Sequence, residues 1–329
     1  MPRSLDARHE RFDLNAPFRI SRGVKTAIDV VTVTITEGSH AGHGEGVPYP
    51  RYGESVEASL EQVHAVRSAI EGGADRLQLL ELMPAGAARN AVDCALWDLQ
   101  ARRSGISVAE ATGLTQRRPI ATAMTVSLDT APNMARAAAH LKDVPLLKVK
   151  VDERDPLTQI RAVRSEAPKP RLIVDPNESW TLDLVERLQT DLATLGVDLL
   201  EQPLPANADE GLAGLRSAVP IAADESAHVA GDVERLANRY QFVNLKLDKT
   251  GGLTAALAFA DAAEAAGLGL MTGCMVSTSL SIAPALLLAQ RCTFADLDGP
   301  VWLKRDRPGG IREENGRLHA PERGFWGDL

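Results

Sequence analysis

Between residues 119 and 300 the chain repeats one pattern eight times: a short apolar run ending in a polar or charged residue. Each run but the last leads into an Ala-, Leu- and Arg-rich stretch of helical character. The runs end at Thr125 (ATAMT), Lys150 (LLKVK), Asp175 (RLIVD), Glu201 (VDLLE), Asp224 (IAAD), Lys246 (FVNLK), Thr272 (LGLMT) and Asp296 (TFAD), at steps of 25, 25, 26, 23, 22, 26 and 24 residues. Strands alternating with helices form a parallel sheet, and eight evenly spaced ones predict a closed (β/α) barrel. The competing architecture is an open, doubly wound sheet. It would begin with a glycine-rich phosphate loop after its first strand, and ATAMTVSLDT has none.

The first third reads differently. Residues 30–36 are rich in β-branched side chains and predict a strand. Residues 38–46 read as a glycine-rich turn, and 47–53 hold too much proline and glycine for regular structure. Helices are predicted over 55–70 and 87–103, the second rich in small residues that permit close packing. The expected organisation is an α+β unit over 1–117, a barrel over 118–300, and a segment over 301–329 that packs back on the first unit.

A chain of 329 residues can bury a large core and carry a second, smaller unit. Its net charge of −8 argues against nucleic acid as a partner, because phosphate binding needs a basic surface. Cys94, Cys274 and Cys292 are too few and too scattered for a disulfide framework or a zinc site. No apolar run is long enough to span a membrane, and MPRSLDARHERFDL lacks the apolar core of a secretory signal. A reduced, cytoplasmic protein is expected, with a homo-oligomer left open.

Chemistry in such a barrel sits at the C-terminal strand ends. Three successive ends carry carboxylates: Asp175, Glu201 and Asp224. Three converging acids repel one another unless a cation neutralises them, and an all-oxygen ligand set suits a hard divalent ion such as Mg2+. Capping of the following helices is the alternative for any one of them alone. Lys148 and Lys150 stand two apart, so they point to one face of their strand. Two lysines beside a metal ion are expected to lower one another's pKa and make a neutral amine available. Lys246 lies beyond the three carboxylate strands, so an amine would face the substrate from each side. Inversion of a stereocentre requires one base on each side. Pairing of the lysines with the three acids is the plainer alternative.

At this point the chain resembles the enolase superfamily, muconate-lactonizing subgroup, and within it the L-Ala-D/L-Glu (dipeptide) epimerases. The resemblance covers nearly the whole length. It rests on Pro17-Phe18 with Ser21-Arg22-Gly23, the run from Pro48 to Ser55, and the run from Pro84 to Asn90. It continues through Lys148-Val149-Lys150, Asp175 with Asn177-Glu178-Ser179-Trp180, Leu200 to Pro205, and Ala223 to Ser226. Asn244 to Gly252, Gly273-Cys274-Met275 and Phe294 to Pro300 complete it. It implies an α/β fold: a modified (β/α)7β TIM-type barrel under an N-terminal α+β capping domain. It implies Asp175, Glu201 and Asp224 as Mg2+ ligands, Lys150 and Lys246 as the acid/base pair, and Lys148 as the group that polarises the substrate carboxylate. The reaction so implied is 1,1-proton transfer through an enediolate. Asp296 and Asp298 would bind the free ammonium of a dipeptide, Arg22 the side-chain carboxylate of its glutamate, and Thr125 would touch the substrate. Salvage of murein peptides is the role this suggests.

Other readings keep the scaffold. A lyase or cycloisomerase of the o-succinylbenzoate synthase or muconate cycloisomerase type, or an N-acylamino acid racemase, has no substrate ammonium to bind and no need of Asp296 and Asp298. A sugar-acid dehydratase of this superfamily carries a histidine on a late strand, and neither FVNLK nor LGLMTGCM holds one. A non-catalytic metal-stabilised binding protein has no reason to retain two opposed lysines. Lys25 and Arg51 rival Arg22 as the carboxylate-binding cation, and His228 reads as a packing or surface histidine.

Overall fold

The N-terminal hairpin consists of β1 (Arg3–Ile20) and β2 (Gly23–Glu37), and β3 (His40–Gly46) completes an antiparallel three-stranded sheet. The computed structural model describes residues 2–20, 23–115 and 118–327. Residues 40–46 are therefore a strand, where the sequence reading placed a turn. The glycines serve contact, not bending. Gly42, Gly44 and Gly46 alternate along one face of β3 and press on the helix Ala87–Ser104. A Cβ added to Gly44 would lie 2.1 Å from the Ala91 carbonyl oxygen, and one on Gly46 would lie 2.0 Å from that of Ala87. Ala87, Ala91 and Ala95, one helical turn apart, supply the matching small surface.

A short strand, β4 (Ile120–Ala121), precedes the eight parallel strands. These are β5 (Met124–Val126), β6 (Leu146–Lys150), β7 (Arg171–Asp175), β8 (Leu199–Glu201), β9 (Ile221–Ala223), β10 (Phe242–Leu245), β11 (Gly269–Gly273) and β12 (Phe294–Asp296), hydrogen-bonded in chain order. The Ala123 amide donates to the Ala295 carbonyl (2.8 Å), and the Leu297 amide to Thr122 Oγ1 (2.8 Å). These bonds draw the first and last strands together into a ring. In the C-terminal segment after residue 300, β13 (Arg312–Glu314) and β14 (Arg317–His319) form a small sheet with β4. Trp326 Nε1 donates to the carbonyls of His43 (3.0 Å) and Cys94 (3.2 Å).

Six of the seven crossovers hold an α-helix. The connection from β8 to β9 holds only a 3-10 turn, Glu210–Leu212. Pro203, Pro205, Gly211, Gly214 and Pro220 explain the departure from the expected helical stretch, since proline and glycine disfavour helix interiors.

The two-residue alternation of a strand builds the site from the bottom up. Leu146, Ile173, Leu199, Ala222, Met271 and Phe294 point inward and fill the lower barrel as an apolar plug. Leu147, Val149, Leu172, Val174, Leu200 and Ala223 point outward to the helices. Two residues beyond the inward set, the parity that put Leu146 inside puts Lys148 and Lys150 inside. Likewise Ile173 leads to Asp175, Leu199 to Glu201, Ala222 to Asp224, and Phe294 to Asp296. The polar layer on top of the plug is the candidate site.

Candidate active site

A cavity of ≈ 240 Å³ opens above this layer. Lys148, Lys150, Asp224, Lys246, Asp296, Asp298 and Thr125 line its floor and walls. The capping sheet and the loop after it supply Phe18, Ile20, Val24, Lys25, Tyr49 and Tyr52 as its roof. The helix Ala87–Ser104 holds this cap in register with the barrel. Asn90 Nδ2 donates to the Glu45 carbonyl (3.1 Å) and to Asp248 Oδ1 (2.9 Å), and Arg89 Nη2 donates to the Thr250 carbonyl (2.7 Å).

The candidate metal ligands are fully buried and each meets an ammonium. Lys148 Nζ lies 2.7 Å from Glu201 Oε2, 3.1 Å from Asp175 Oδ2 and 2.7 Å from Asp296 Oδ2. Lys150 Nζ is 2.5 Å from Asp175 Oδ2, and Lys246 Nζ is 2.7 Å from Asp224 Oδ2. Among the described residues no three acidic, His or Cys side chains are drawn into a ready-made metal cage. The lysines stand between the carboxylates instead.

The electrostatics follow from that contact. Burial works against the charge on Asp175, but Lys150 and Lys148 outweigh it and draw the carboxyl down to about 2. Asp224 is held well below the usual carboxylate range, because Lys246 and Lys249 overcome its burial. Glu201 goes the other way, to about 8: burial dominates, and Asp175 and Asp224 repel its charge against the pull of Lys148. The expectation of lowered lysine pKa values assumes a cation beside the amines; among the protein groups alone, two of them shift the other way. Burial favours neutral Lys148 and Lys246, yet the surrounding carboxylates, Asp296 foremost for Lys148 and Asp224 for Lys246, hold both well above the usual lysine range. Three carboxylates in one buried layer, one of them resisting ionisation, fit a hard cation. A divalent ion shared among those oxygens would also weaken their hold on the lysines.

Asp296 and Asp298 are each anchored at one oxygen. Asp296 Oδ2 meets Lys148, while its Oδ1 is buried without a hydrogen-bond partner among the described residues. Asp298 Oδ2 accepts from the Thr125 amide (3.0 Å) and Trp302 Nε1 (3.1 Å). Burial, and then Asp296 beside it, push Asp298 up to about 6. Thr125 thus reaches the cavity partly as a brace for Asp298. Arg22 lies outside the described residues. Arg51 forks onto Glu178 (2.9 and 2.8 Å), and Lys25 lies over the Tyr49 ring at 4.5 Å. The His228 ring packs edge-on against Tyr52 with centroids 4.7 Å apart, a packing histidine as read from the sequence.

Three functional neighbours escaped the sequence reading. Lys249 Nζ donates to Asp224 Oδ1 (2.6 Å) and to the Asn244 carbonyl (3.1 Å). Asn244 Nδ2 donates to Glu201 Oε1 (2.9 Å), and Gln202 accepts from the Asp224 amide (2.8 Å). Asn244 shares the inward parity of Lys246 and was within reach of the alternation argument. Lys249 and Gln202 sit just past their strands, where no period applies.

Residues 3–113 match the mandelate racemase / muconate lactonizing enzyme N-terminal domain, and 129–325 match the enolase C-terminal domain-like model. The chain is 46% identical to the L-Ala-D/L-Glu epimerase of Escherichia coli (strain K12), over 96% of this chain and 99% of that one. It is 42% identical to an N-acetyl-D-glutamate racemase of Pseudoalteromonas sp, covering 91% and 95%. Among solved structures, an enolase family member from Agrobacterium tumefaciens with homology to dipeptide epimerases, with bound sodium and L-Ala-L-Glu, superposes with a TM-score of 0.96 at 46% identity, covering 99% and 100%. A dipeptide epimerase from Methylococcus capsulatus, complexed with Mg and L-Arg-D-Lys, gives 0.89 at 34% identity, covering 98% of each chain. A capping sheet, an eight-strand parallel ring and two matching domain models point one way: the chain belongs to the mandelate racemase / muconate lactonizing enzyme family of the enolase superfamily.

Proposed function

We propose that this chain is a magnesium-dependent isomerase that epimerises L-Ala-D/L-Glu-type dipeptides by two-base 1,1-proton transfer. The supporting observation is the placement of Lys150 and Lys246. They end β6 and begin the turn after β10, four strands apart in a ring of eight, and both line one cavity. One amine takes the α-proton of the second residue from one face, and the other delivers a proton to the opposite face. The roles exchange for the other epimer.

Asp175, Glu201 and Asp224 would hold Mg2+, which when bound supplies positive charge to the substrate carboxylate as the α-proton leaves. Lys148, charged and buried beside them, orients that carboxylate. Asp296 and Asp298 take the dipeptide ammonium, and Thr125 steadies Asp298. Arg22 is proposed for the glutamate side chain by its position in the sequence, with Lys25 in the cavity roof as its rival. An N-acylamino acid racemase is the second reading, suggested by the Pseudoalteromonas relative. An acyl group would leave Asp296 Oδ1 buried without a donor, which is costly, so the free amine is preferred.

We further propose that residues 1–117 cap the site, that 118–300 carry it and that 301–329 tie the two together. No described helix is long and apolar enough to cross a membrane. Recycling of murein peptides in the cytoplasm is the role proposed for the activity.

The test is incubation of the purified protein with Mg2+ and L-Ala-L-Glu or L-Ala-D-Glu in heavy water, read by mass and by chiral separation. Deuterium at the glutamate α-carbon together with formation of the other epimer is expected. No deuterium uptake from either epimer would overturn the reading.

A further inference from the structure

The three strands that carry Asp175, Glu201 and Asp224 are followed by irregular backbone, and one residue touches all three of those exits. Gln202, directly after Glu201, has a left-handed φ of 34° and is fully buried. Its carbonyl accepts from the Glu178 amide (2.9 Å), in the turn after Asp175. Its amide donates to the Ala222 carbonyl (2.8 Å), two residues before Asp224. Its side-chain Oε1 accepts from the amides of Asp224 (2.8 Å) and Ser226 (3.0 Å).

The other end of that carboxamide is itself held. Nε2 faces the Leu204 carbonyl (2.9 Å), Ser226 Oγ (3.0 Å) and Tyr240 OH (3.0 Å). Both hydroxyls donate to Asp209 Oδ2, each at 2.6 Å, and Arg239 pairs with the other Asp209 oxygen. Asp209 lies in the β8–β9 crossover, the one without an α-helix. A buried polar network thus does what a packed helix does elsewhere in the ring. A carboxamide gripped at both ends has one rotamer and one amide orientation, and it fixes the backbone from which the Asp224 carboxylate projects.

We propose that Gln202 is a positioning residue that sets the Asp224 carboxylate for Mg2+ through its grip on the Asp224 amide, a role that rests on the reading of Asp224 as a metal ligand. Removing the carboxamide frees the Asp224 backbone and leaves its buried N–H without an acceptor. Groups that orient a metal ligand cost metal affinity when lost.

The experiment is calorimetric titration of Mg2+ into the full chain freed of metal with a chelator, for wild type, Gln202→Met and Tyr240→Phe, with thermal unfolding and steady-state kinetics alongside. Methionine keeps the length of the side chain and deletes donor and acceptor together. Gln202→Met is expected to raise the Mg2+ Kd by about 10- to 100-fold, and its kcat should recover as Mg2+ is raised to saturation. Tyr240→Phe deletes a network hydroxyl but spares the grip on Asp224. It should lower Tm while leaving the Mg2+ Kd near that of wild type. If Gln202→Met does not fold, Gln202→Asn carries the same expectation, because asparagine tolerates left-handed backbone and its amide is too short to reach Asp224. A folded Gln202 variant that binds Mg2+ like wild type would overturn the inference. Wild type that itself binds no Mg2+ would remove the metal-site reading, and this inference with it.

Discussion

Lys148 on β6 joins Asp296 on β12 across 2.7 Å, and the same ammonium reaches Glu201 at 2.7 Å. One cation therefore ties the candidate metal layer to the candidate ammonium pocket. Replacing it by the similarly long but neutral Met leaves Asp175, Glu201 and Asp296 buried around an apolar chain. Loss of one partner from a buried charge cluster costs about 3–5 kcal/mol. Lys148→Met is expected to unfold at a markedly lower temperature in chelator, and Mg2+ should restore part of the loss. A melting temperature that ignores Mg2+ would argue against a shared site.

The opposed lysines make separable predictions. With Lys150 replaced by Ala, Lys246 still reaches the α-proton of the epimer that faces it, so that epimer should exchange with heavy water without inverting. Lys246→Ala should exchange only the other epimer. Epimerisation itself should fall by at least about 10²-fold in each, the scale of a lost general base. Mass and chiral analysis of single-epimer incubations read both outcomes. If both variants exchange the same epimer, the two amines do not flank the carbon.

Asp296→Asn and Asp298→Asn test the ammonium pocket. A hydrogen bond to a charged group contributes about 1.5–3 kcal/mol, so KM for a free-amine dipeptide should rise by roughly 10- to 100-fold. The N-acetyl dipeptide should be a poor substrate of wild type and gain, not lose, in the variants. Turnover of both substrates that the substitutions leave unchanged would return the N-acylamino acid racemase to first place.

Asp248 gives a pH-dependent stability term away from the metal layer. Burial raises its carboxyl to about 7, although the Val47 amide (2.9 Å) and Asn90 (2.9 Å) donate to it. A folded pKa above the unfolded value means that the folded state holds its proton longer. The term is therefore absent below about pH 4, destabilises progressively as pH rises to about 7, and then levels off, at a total on the order of 2–4 kcal/mol. Asp248→Asn keeps the Oδ1 acceptor and removes the titration. The difference in unfolding free energy between variant and wild type, measured by denaturant from pH 4 to 8, should move in the variant's favour with rising pH. A difference independent of pH would show that Asp248 titrates near its ordinary value.

Strand spacing and strand parity are local properties, and both were legible in the chain. The 22- to 26-residue steps placed eight strand ends, and two-residue alternation put Lys148 and Lys150 on one face, because each side chain's direction is set by its own backbone. Glycine content alone misled at residues 40–46. A glycine that turns the chain and a glycine that admits a helix look alike until the helix Ala87–Ser104 is seen against β3. The proline- and glycine-rich crossover after Glu201 carried no period, so neither Gln202 nor Asp209 announced its part. Which ammonium meets which carboxylate also depends on ring closure, which brings Asp296 from residue 296 to Lys148. Burial and distance set charge states, and only the closed tertiary structure fixes either one.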